Sequence, residues 1–336
     1  MKTLNPNDAI EQALREAQQV DLSWIQPPPT SDGWTLAPDA LKFVTKMVEL
    51  LRPRHILELG SGLSTRLLAR EGGKLSTKPL ISSIDHDPQF NWESSGTTNH
   101  GGATVKFHLA PLVVRDFGGK LLGAYLIQPG KLATKRPADL VVIDGPPVNL
   151  GGREGTLYQV MDFARAGTVV LLDDSKRPEE RAAIKAWQDN LGDAVTIRQL
   201  PGFAKGMAAV IVNKPVPLKE LWQYRFELSK AEIEKAVPQG ASFLLAGEAW
   251  WGAELATPRK IIPFTEHEGD YWGEPADDAS AIAELDRLMG KGARHIVFGW
   301  PSFWWLDYYT GFVAELERRG KKVVDNDRLV MFELRS

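Results

Sequence analysis

Short hydrophobic runs alternate with helical patterns through the first two thirds of the chain. Apolar residues recur at helical spacing within residues 7–19, 37–51, 64–70, 156–164 and 178–191. Mostly apolar runs predict strands at 55–59, 81–85, 104–109, 139–144, 167–172, 195–199 and 207–213. Such strands between helices indicate an α/β fold with a parallel sheet covered on both faces. The short segment LPGFAKG joins the last two runs and cannot form a crossover helix, so we expect an antiparallel hairpin at the sheet edge.

A second α/β pattern begins after the proline-containing segment NKPVPLKE, at residues 213–220. Strands are predicted at 242–247, 260–264, 295–300, 321–325 and 329–334, and helices at 277–292 and 308–320. A chain of 336 residues is long enough for two hydrophobic cores. We therefore expect four regions: a helical N-terminal extension (1–32), a main domain (33–214), a linker or helix (215–237) and a smaller α/β domain (238–336).

Composition and charge exclude several classes of protein. The net charge of −3 gives no electrostatic argument for nucleic-acid binding. The sequence contains no cysteine, which excludes disulfides, thiolate metal sites and a cysteine nucleophile. The first residues lack the apolar core of a signal peptide, and no apolar run approaches the roughly 20 residues of a membrane span. These features predict a cytoplasmic protein.

The first predicted strand ends in a glycine turn, ELGSGLST. Gly60 and Gly62 permit a tight turn and a close approach of backbone to a ligand, and the following helix offers free amides. Asp85 ends the second strand and can accept the hydroxyls of a ribose. Two nucleotide ligands fit this pattern, a dinucleotide and S-adenosylmethionine. Thr65 replaces the third glycine of the dinucleotide fingerprint, which disfavours a pyrophosphate.

Four motifs, ILELGSGLST, SIDHDP, DLVVIDGPP and GTVVLLDD, resemble successive motifs of class I S-adenosylmethionine-dependent methyltransferases. The resemblance covers roughly residues 33–214. It implies a Rossmann-like sheet of seven strands in the order 3-2-1-4-5-7-6, with the last strand antiparallel, and S-adenosylmethionine as cofactor. The residues that it assigns to the cofactor are Glu58, Gly60, Ser61 and Gly62 at the methionine end, Asp85 at the ribose, His86 beside the adenosine, and Ala110, within HLAPL, beside the adenine.

Each of these residues also has a structural alternative. The glycines can serve only the turn, and Glu58 can belong to a buried structural pair. Asp85 and His86 can be ordinary loop residues.

Three aspartates follow neighbouring predicted strands: Asp144, Asp173 and Asp174. Three converging carboxylates suit a hard cation such as Mg²⁺ or Ca²⁺. The same positions resemble the metal ligands of cation-dependent, catechol-type O-methyltransferases, which implies Mg²⁺ as a second cofactor. This chain departs from that family at Asp174, where the family has asparagine, and at Pro147, where it has a catalytic lysine, so the catechol mechanism does not carry over.

Two alternatives remain for these aspartates. Asp174 and Ser175 can cap the helix that contains Pro178, while Asp173 contacts backbone. Asp144 is also the candidate catalytic residue, because it can polarise the acceptor or touch the methyl donor directly.

The segment GPPVNLGGREGTLY, residues 145–158, follows Asp144. Its four glycines and two prolines predict a mobile lid or acceptor-binding loop, with a plain surface loop as the alternative.

Six of the eleven tryptophans lie in the last third of the chain: Trp250, Trp251, Trp272, Trp300, Trp304 and Trp305. They can stack on sugars, or they can form a core or an interface. Residues 238–335 resemble a small domain that accompanies bacterial glycosyltransferases and methyltransferases of surface-polysaccharide assembly, which implies a carbohydrate context. His267, Glu268 and Asp270 form either a polar site or an exposed loop.

The resulting functional hypothesis is O-methylation of a sugar or glycan precursor. The predicted partners are a small-molecule or glycan acceptor and a second copy of the chain, bound through the tryptophan-rich domain. Two alternatives stay open, an NAD(P)-dependent oxidoreductase and a non-catalytic glycan-binding or scaffold protein.

Overall fold

The computed structural model describes residues 4–30, 35–90, 97–100, 103–127, 132, 136–247, 249–255 and 257–335. The chain divides into two compact units, residues 1–219 and 220–336. No helix in the described ranges combines the length and the hydrophobicity that crossing a membrane requires.

The first unit contains five α-helices and ten strands within the described residues. Its helices are α1 (Pro6–Glu16), α2 (Pro38–Leu51), α3 (Leu63–Lys74), α4 (Glu154–Val160) and α5 (Pro178–Leu191). Its strands are β1 (His55–Leu59), β2 (Leu80–Asp85), β3 (Thr97–His100), β4 (Ala103–Leu109), β5 (Leu112–Asp116), β6 (Leu121–Tyr125), β7 (Leu140–Ile143), β8 (Val169–Asp173), β9 (Val195–Leu200) and β10 (Met207–Val212).

Eight of these strands form one sheet in the order β3-β4-β2-β1-β7-β8-β10-β9. The pairs from β4 through β8 are parallel, whereas β10 runs antiparallel to both β8 and β9. Without the edge strand β3, the chain order of the strands across the sheet is 3-2-1-4-5-7-6. The predicted sheet and its terminal hairpin are therefore confirmed. Strand β3 and the separate hairpin β5–β6 were not predicted.

Alternate residues of the sheet strands enter a core formed with the first three helices. Ile56, Ile81, Val142 and Leu171 belong to one buried cluster that also includes side chains of α1, α2 and α3. Their neighbours along each strand are buried as well, so both faces of the sheet are covered. The strands β7 and β8 are accordingly apolar up to their carboxyl ends, whereas β1 and β2 carry the buried polar residues Glu58, Ser82 and Ser83.

The second unit contains seven strands within the described residues: β11 (Ser242–Ala246), β12 (Lys260–Phe264), β13 (Glu266–His267), β14 (Asp270–Tyr271), β15 (His295–Gly299), β16 (Gly320–Asp325) and β17 (Leu329–Leu334). Five of them form one sheet in the order β12-β11-β15-β17-β16, and β13 pairs with β14 in a separate hairpin. The helices of this unit are α7 (Ala249–Leu255), α8 (Asp278–Gly290), α9 (Trp304–Tyr308) and α10 (Thr310–Arg319), and α6 (Leu218–Ala236) begins at the boundary.

The tryptophans of the second unit divide between its core and its surface. Trp251, Trp300 and Trp305 are buried within its two hydrophobic clusters. Trp272 is 72% exposed and Trp304 is 46% exposed. The side chain of Trp250 lies outside the described residues. Core packing therefore accounts for half of the six tryptophans.

Candidate active site

The glycine turn lies against the end of strand β7. Gly60 has a φ of +100°, and a Cβ at this position would lie 2.9 Å from the backbone nitrogen of Gly145. The amide of Gly60 also donates to the carbonyl of Ile84 at the end of β2. Because two backbones approach so closely, only glycine fits at Gly60 without displacement.

Asp85 is oriented by backbone amides at the end of β2. The amide of Ser61 donates to its Oδ2 at 2.7 Å, and the amide of Asp87 donates to its Oδ1 at 2.9 Å. His86 Nδ1 lies 3.1 Å from the same Oδ1. An ionised carboxylate has about four lone-pair sites, so acceptor capacity remains for a ligand.

Glu58 lies buried beneath the glycine turn and does not line the cavity described below. The hydroxyls of Thr65 and Ser83 each donate to its Oε2 at 2.6 Å. Among the described residues, its Oε1 has no hydrogen-bond partner. Burial raises the pKa of Glu58 to about 7. Glu58 thus holds the start of α3, and its contact with a methionine group stays a prediction.

A cavity of about 350 Å³ opens at the carboxyl edge of the sheet. This volume lies within the range of about 300–1,000 Å³ that is usual for small-molecule sites. Its walls include the following predicted site residues: Gly60, Ser61, Gly62, Asp85, His86 and Asp144. Ala110 does not line the cavity, and its amide donates to the carbonyl of Asp85 at 2.8 Å. Thus six of the predicted residues meet at one cavity.

Tyr125 also lines the cavity and was not predicted from the sequence. It ends strand β6, and its backbone is held by the side-chain amide of Gln159. Its hydroxyl packs against Gly145, where an added Cβ would lie 2.4 Å away. This hydroxyl is buried and has no hydrogen-bond partner in the part of the chain that the structure describes. Burial raises the pKa of Tyr125, so the group stays a neutral donor.

The structure brings Asp144, Asp173 and Asp174 together. One carboxylate oxygen from each lies within 4.8 Å of the others. Asp144 lines the cavity, whereas Asp173 and Asp174 are buried behind it. Burial raises the pKa of Asp144 well above its ordinary value, and burial together with Asp174 raises the pKa of Asp173 to about 6. The three carboxylates form an electrostatically unfavourable group unless a cation accompanies them.

Arg153 supplies a cation to this group and was also missed by sequence reasoning. Its Nη2 lies 2.9 Å from Asp174 Oδ2 and 3.2 Å from Asp144 Oδ1. Its Nη1 donates to the carbonyl of Asp173 at 2.8 Å, and Glu180 Oε1 lies 3.6 Å from its Nε. Burial alone would lower the pKa of Arg153, but the surrounding carboxylates raise it. The guanidinium is therefore charged and lies among four acids.

The segment 145–158, which contains Arg153, packs closely against strand β6. A Cβ on Gly151 would lie 2.8 Å from Gly123 Cα, and one on Gly155 would lie 2.5 Å from the carbonyl of Gly123. These glycines let the segment pack backbone-to-backbone on β6. The mobility and the lid or acceptor-binding role predicted for the segment stay predictions. Val148 and Leu150, which are 41% and 45% exposed, form its outer part.

Comparisons with known proteins give only distant structural matches. No known family model matches the sequence, and no curated protein matches it at a significant level. Solved structures similar to part of the chain include an SAH-bound methyltransferase from Podospora anserina, with 14% identity over 63% of this chain and 90% of that chain and a TM-score of 0.38. An O-methyltransferase from Bacillus cereus in complex with SAH shares 17% identity over 60% of this chain and 90% of that chain, with a TM-score of 0.40. The O-methyltransferase TomG from Streptomyces achromogenes, involved in tomaymycin synthesis and solved in complex with SAM, shares 18% identity over 61% of this chain and 90% of that chain, with a TM-score of 0.39.

These likenesses, with TM-scores below 0.5, carry no argument, and the fold follows from the strand order. The first unit has a Rossmann-like α/β fold with the seven-strand order 3-2-1-4-5-7-6 that the sequence resemblance implies. Its cavity lies in the usual place for an open α/β sheet, beside the carboxyl ends of β1 and β7, where the strand order reverses.

Arg153 lies within the metal site that the resemblance to cation-dependent O-methyltransferases implies. Both oxygens of Asp173 and Oδ1 of Asp174 lack hydrogen-bond partners among the described residues, so these three atoms are available as ligands for a cation. However, Nη2 of Arg153 already bridges Asp144 and Asp174. Mg²⁺ needs oxygen ligands at about 2.0–2.1 Å, which leaves no room for that nitrogen between them. The residues present do not fit a metal while Arg153 stays in place.

The capping alternative for Asp174 and Ser175 is wrong. Helix α5 begins at Pro178 with Arg177 as its N-cap, and no side chain caps it. The hydroxyl of Ser175 donates instead to Gln199 Oε1 at 2.8 Å.

The polar group proposed in the second unit lies on a small surface hairpin. His267, Glu268 and Asp270 are exposed, and the His267 ring lies 4.7 Å from that of Trp272. The exposure of these three side chains supports the exposed-loop alternative, with the ring of Trp272 beside it.

Proposed function

We propose that the first unit binds S-adenosylmethionine and transfers its methyl group to a hydroxyl of a sugar or glycan precursor. The observation that carries this proposal is the cavity at the strand-order reversal, where a glycine turn faces Asp85. A glycine turn followed by a helix start supplies backbone amides, and an acid after the next strand accepts ribose hydroxyls.

The cofactor is placed along the cavity by these groups. Gly60, Ser61 and Gly62 accommodate the methionine end, and Asp85 accepts the ribose hydroxyls through its remaining lone pairs. His86 lies beside the adenosine. Asp144 is the carboxylate of the acidic group that reaches the cavity, so it would be the residue available to act on the acceptor there.

The reaction forms an oxygen–carbon bond, breaks a carbon–sulfur bond and moves one proton from the acceptor to a base. The acceptor oxygen attacks the methyl carbon, the carbon–sulfur bond breaks with its electrons passing to sulfur, and S-adenosylhomocysteine (SAH) is released. The proton of the acceptor hydroxyl passes to Asp144. Because the methyl group is already activated, alignment and exclusion of water supply most of the catalysis.

The alternatives are disfavoured by the same residues. In a dinucleotide site the third glycine allows close packing of helix on strand, but here Thr65 holds Glu58 with its hydroxyl. A degenerate scaffold would have no need of a buried, unpartnered tyrosine hydroxyl at an open cavity. The sugar acceptor is supported by exposed aromatic side chains of the second unit, where Trp272 and Tyr308 are 72% and 68% exposed.

Methyl transfer can be tested with methyl-labelled S-adenosylmethionine and a panel of nucleotide sugars, oligosaccharides and simple phenols. We expect label in a carbohydrate hydroxyl. Asp144→Asn should lower kcat by about 10²–10⁴-fold, the usual loss when a general base is removed. Binding of SAH should change little in this variant. Label found only in phenols would refute the sugar acceptor, and no label with any acceptor would refute the reaction.

A further inference from the structure

We infer that Arg153 is the resident cation of the acidic group and takes the place that a divalent metal would otherwise occupy. The methyl transfer proposed above, on which this inference rests, then needs no metal. Arg153 acts in it as a positioning residue for Asp144.

The guanidinium contacts three acidic residues through a fixed planar group. Nη2 donates to both the backbone carbonyl and Oδ1 of Asp144, at 2.9 and 3.2 Å. Two contacts to one residue fix both its backbone and its side chain, because the donors of arginine have rigid directions. Asp144 is thereby held at the cavity wall with Oδ2 not engaged by this arginine.

The acidic side chains around Arg153 stabilise the charge of its buried guanidinium. Asp144, Asp173, Asp174 and Glu180 supply up to four negative charges at one place. Arg153 is buried among them, whereas Arg177 reaches Asp174 Oδ2 from the surface at 3.0 Å, with 49% of its side chain exposed. Among the described residues, removing the central cation would leave only Arg177, against Asp174, and the more distant charge of Lys205 near these acids. Ionised carboxylates with so little compensation take up another cation.

The segment around Arg153 is built to hold it there. Gly151 and Gly155 pack on Gly123 of β6, on either side of the arginine. Thr156 also donates to the carbonyl of Arg153 at 2.5 Å. The backbone that carries the guanidinium is therefore held against β6, and the hydrogen bonds to Asp144, Asp173 and Asp174 hold the guanidinium itself.

Divalent-cation binding tests this inference without methyl donor or acceptor. Mn²⁺ is titrated into the full chain and followed by electron paramagnetic resonance, with Mg²⁺ competition. We expect the wild type to bind no Mn²⁺ tighter than about 1 mM, the weak end for protein cation sites. Arg153→Ala should gain a site at least tenfold tighter, and Mg²⁺ should raise its Tm. Arg177→Ala is the matched control, which loses a neighbouring exposed cation and should gain no such site.

Tight Mn²⁺ binding by the wild type that is lost in Asp173→Asn would overturn the inference. So would a folded Arg153→Ala variant that gains no binding. Should that variant not fold, Arg153→Gln is measured in the same way. Arg153→Lys keeps the charge without the planar fork, and it should lower kcat while leaving SAH affinity unchanged. Because the binding readouts need no turnover, failure of the methyl-transfer proposal would be seen separately, as an absence of SAH binding.

Discussion

The backbone amide of Ser61 donates a hydrogen bond of 2.7 Å to Asp85 Oδ2. This contact joins the turn after β1 to the end of β2, although the two residues are 24 positions apart in the sequence. The turn and the acid are therefore one structural element, and a ligand that touches one of them meets the other in a fixed geometry.

Asp85→Ala should lower SAH affinity by at least tenfold, because it removes the proposed acceptor of the ribose hydroxyls and frees the turn. Asp85→Asn retains an oxygen for the Ser61 amide but loses the charge and one acceptor, and it should have an intermediate affinity. Calorimetric titration measures both variants. Unchanged affinity in the alanine variant would place the ribose elsewhere.

Gly60→Ala and Gly62→Ala form a matched pair within the glycine turn. An added methyl at Gly60 meets the backbone of Gly145 at 2.9 Å, whereas the one at Gly62 meets nothing within 4 Å. We expect the first variant to lose about 2–4 kcal/mol of unfolding free energy, from strain and displaced backbone, and the second to lose less than about 1 kcal/mol. Urea denaturation distinguishes them. Equal losses would show that the close approach to β7 is unimportant for stability.

Glu58 predicts a dependence of stability on pH. Its pKa is raised from 4.5 to about 7, so between these values the folded protein holds a proton that the unfolded chain has released. The protonated Glu58 therefore favours folding near pH 4.5, and its contribution to the unfolding free energy is lost as the pH rises to about 7. Relative to Glu58→Gln, the unfolding free energy of the wild type should fall by on the order of 3 kcal/mol across the window. A constant difference across the window would refute the buried, protonated carboxyl.

Tyr125→Phe separates a ligand contact from a structural role. The hydroxyl of Tyr125 has no partner among the described residues, so its removal leaves no protein group unpaired and should not lower Tm. SAH affinity or kcat should fall by about three- to tenfold, the value of one hydrogen bond. Tyr158→Phe is the opposite control, because Asn190 donates to the Tyr158 hydroxyl at 3.0 Å. That control should lose Tm and keep SAH affinity, and a Tm loss in Tyr125→Phe would indicate a structural hydroxyl.

The main sheet and the acids of the site could be predicted because each acid ends an apolar run. The carboxyl ends of parallel strands meet at one edge, so Asp85, Asp144 and Asp173 follow from the strand pattern. Arg153 lies in a polar, glycine-rich segment without periodicity, and its role comes from packing between Gly151 and Gly123. No local signal marks such a contact.

Tyr125 was missed for a different reason. It ends a hairpin outside the main sheet, in which Val114 and Leu121 are more than 70% exposed. Burial in the two strands of this hairpin is confined to the end of β6, at Ala124 and Tyr125. Such partly buried strands lack the regular alternation that sequence patterns detect. In the second unit, the exposed or buried state of each tryptophan also depended on packing that its local sequence does not encode.

An equilibrium titration of the full chain with SAH, in parallel with NAD⁺, tests the proposed cofactor site most directly. We expect one SAH site per chain, with a Kd in the micromolar range, about −8 kcal/mol at 1 μM. We also expect no measurable binding of NAD⁺ at the same concentrations, and weakened SAH binding in Asp85→Ala. Binding of NAD⁺ without SAH would contradict the proposed cofactor site, and so would binding of neither ligand.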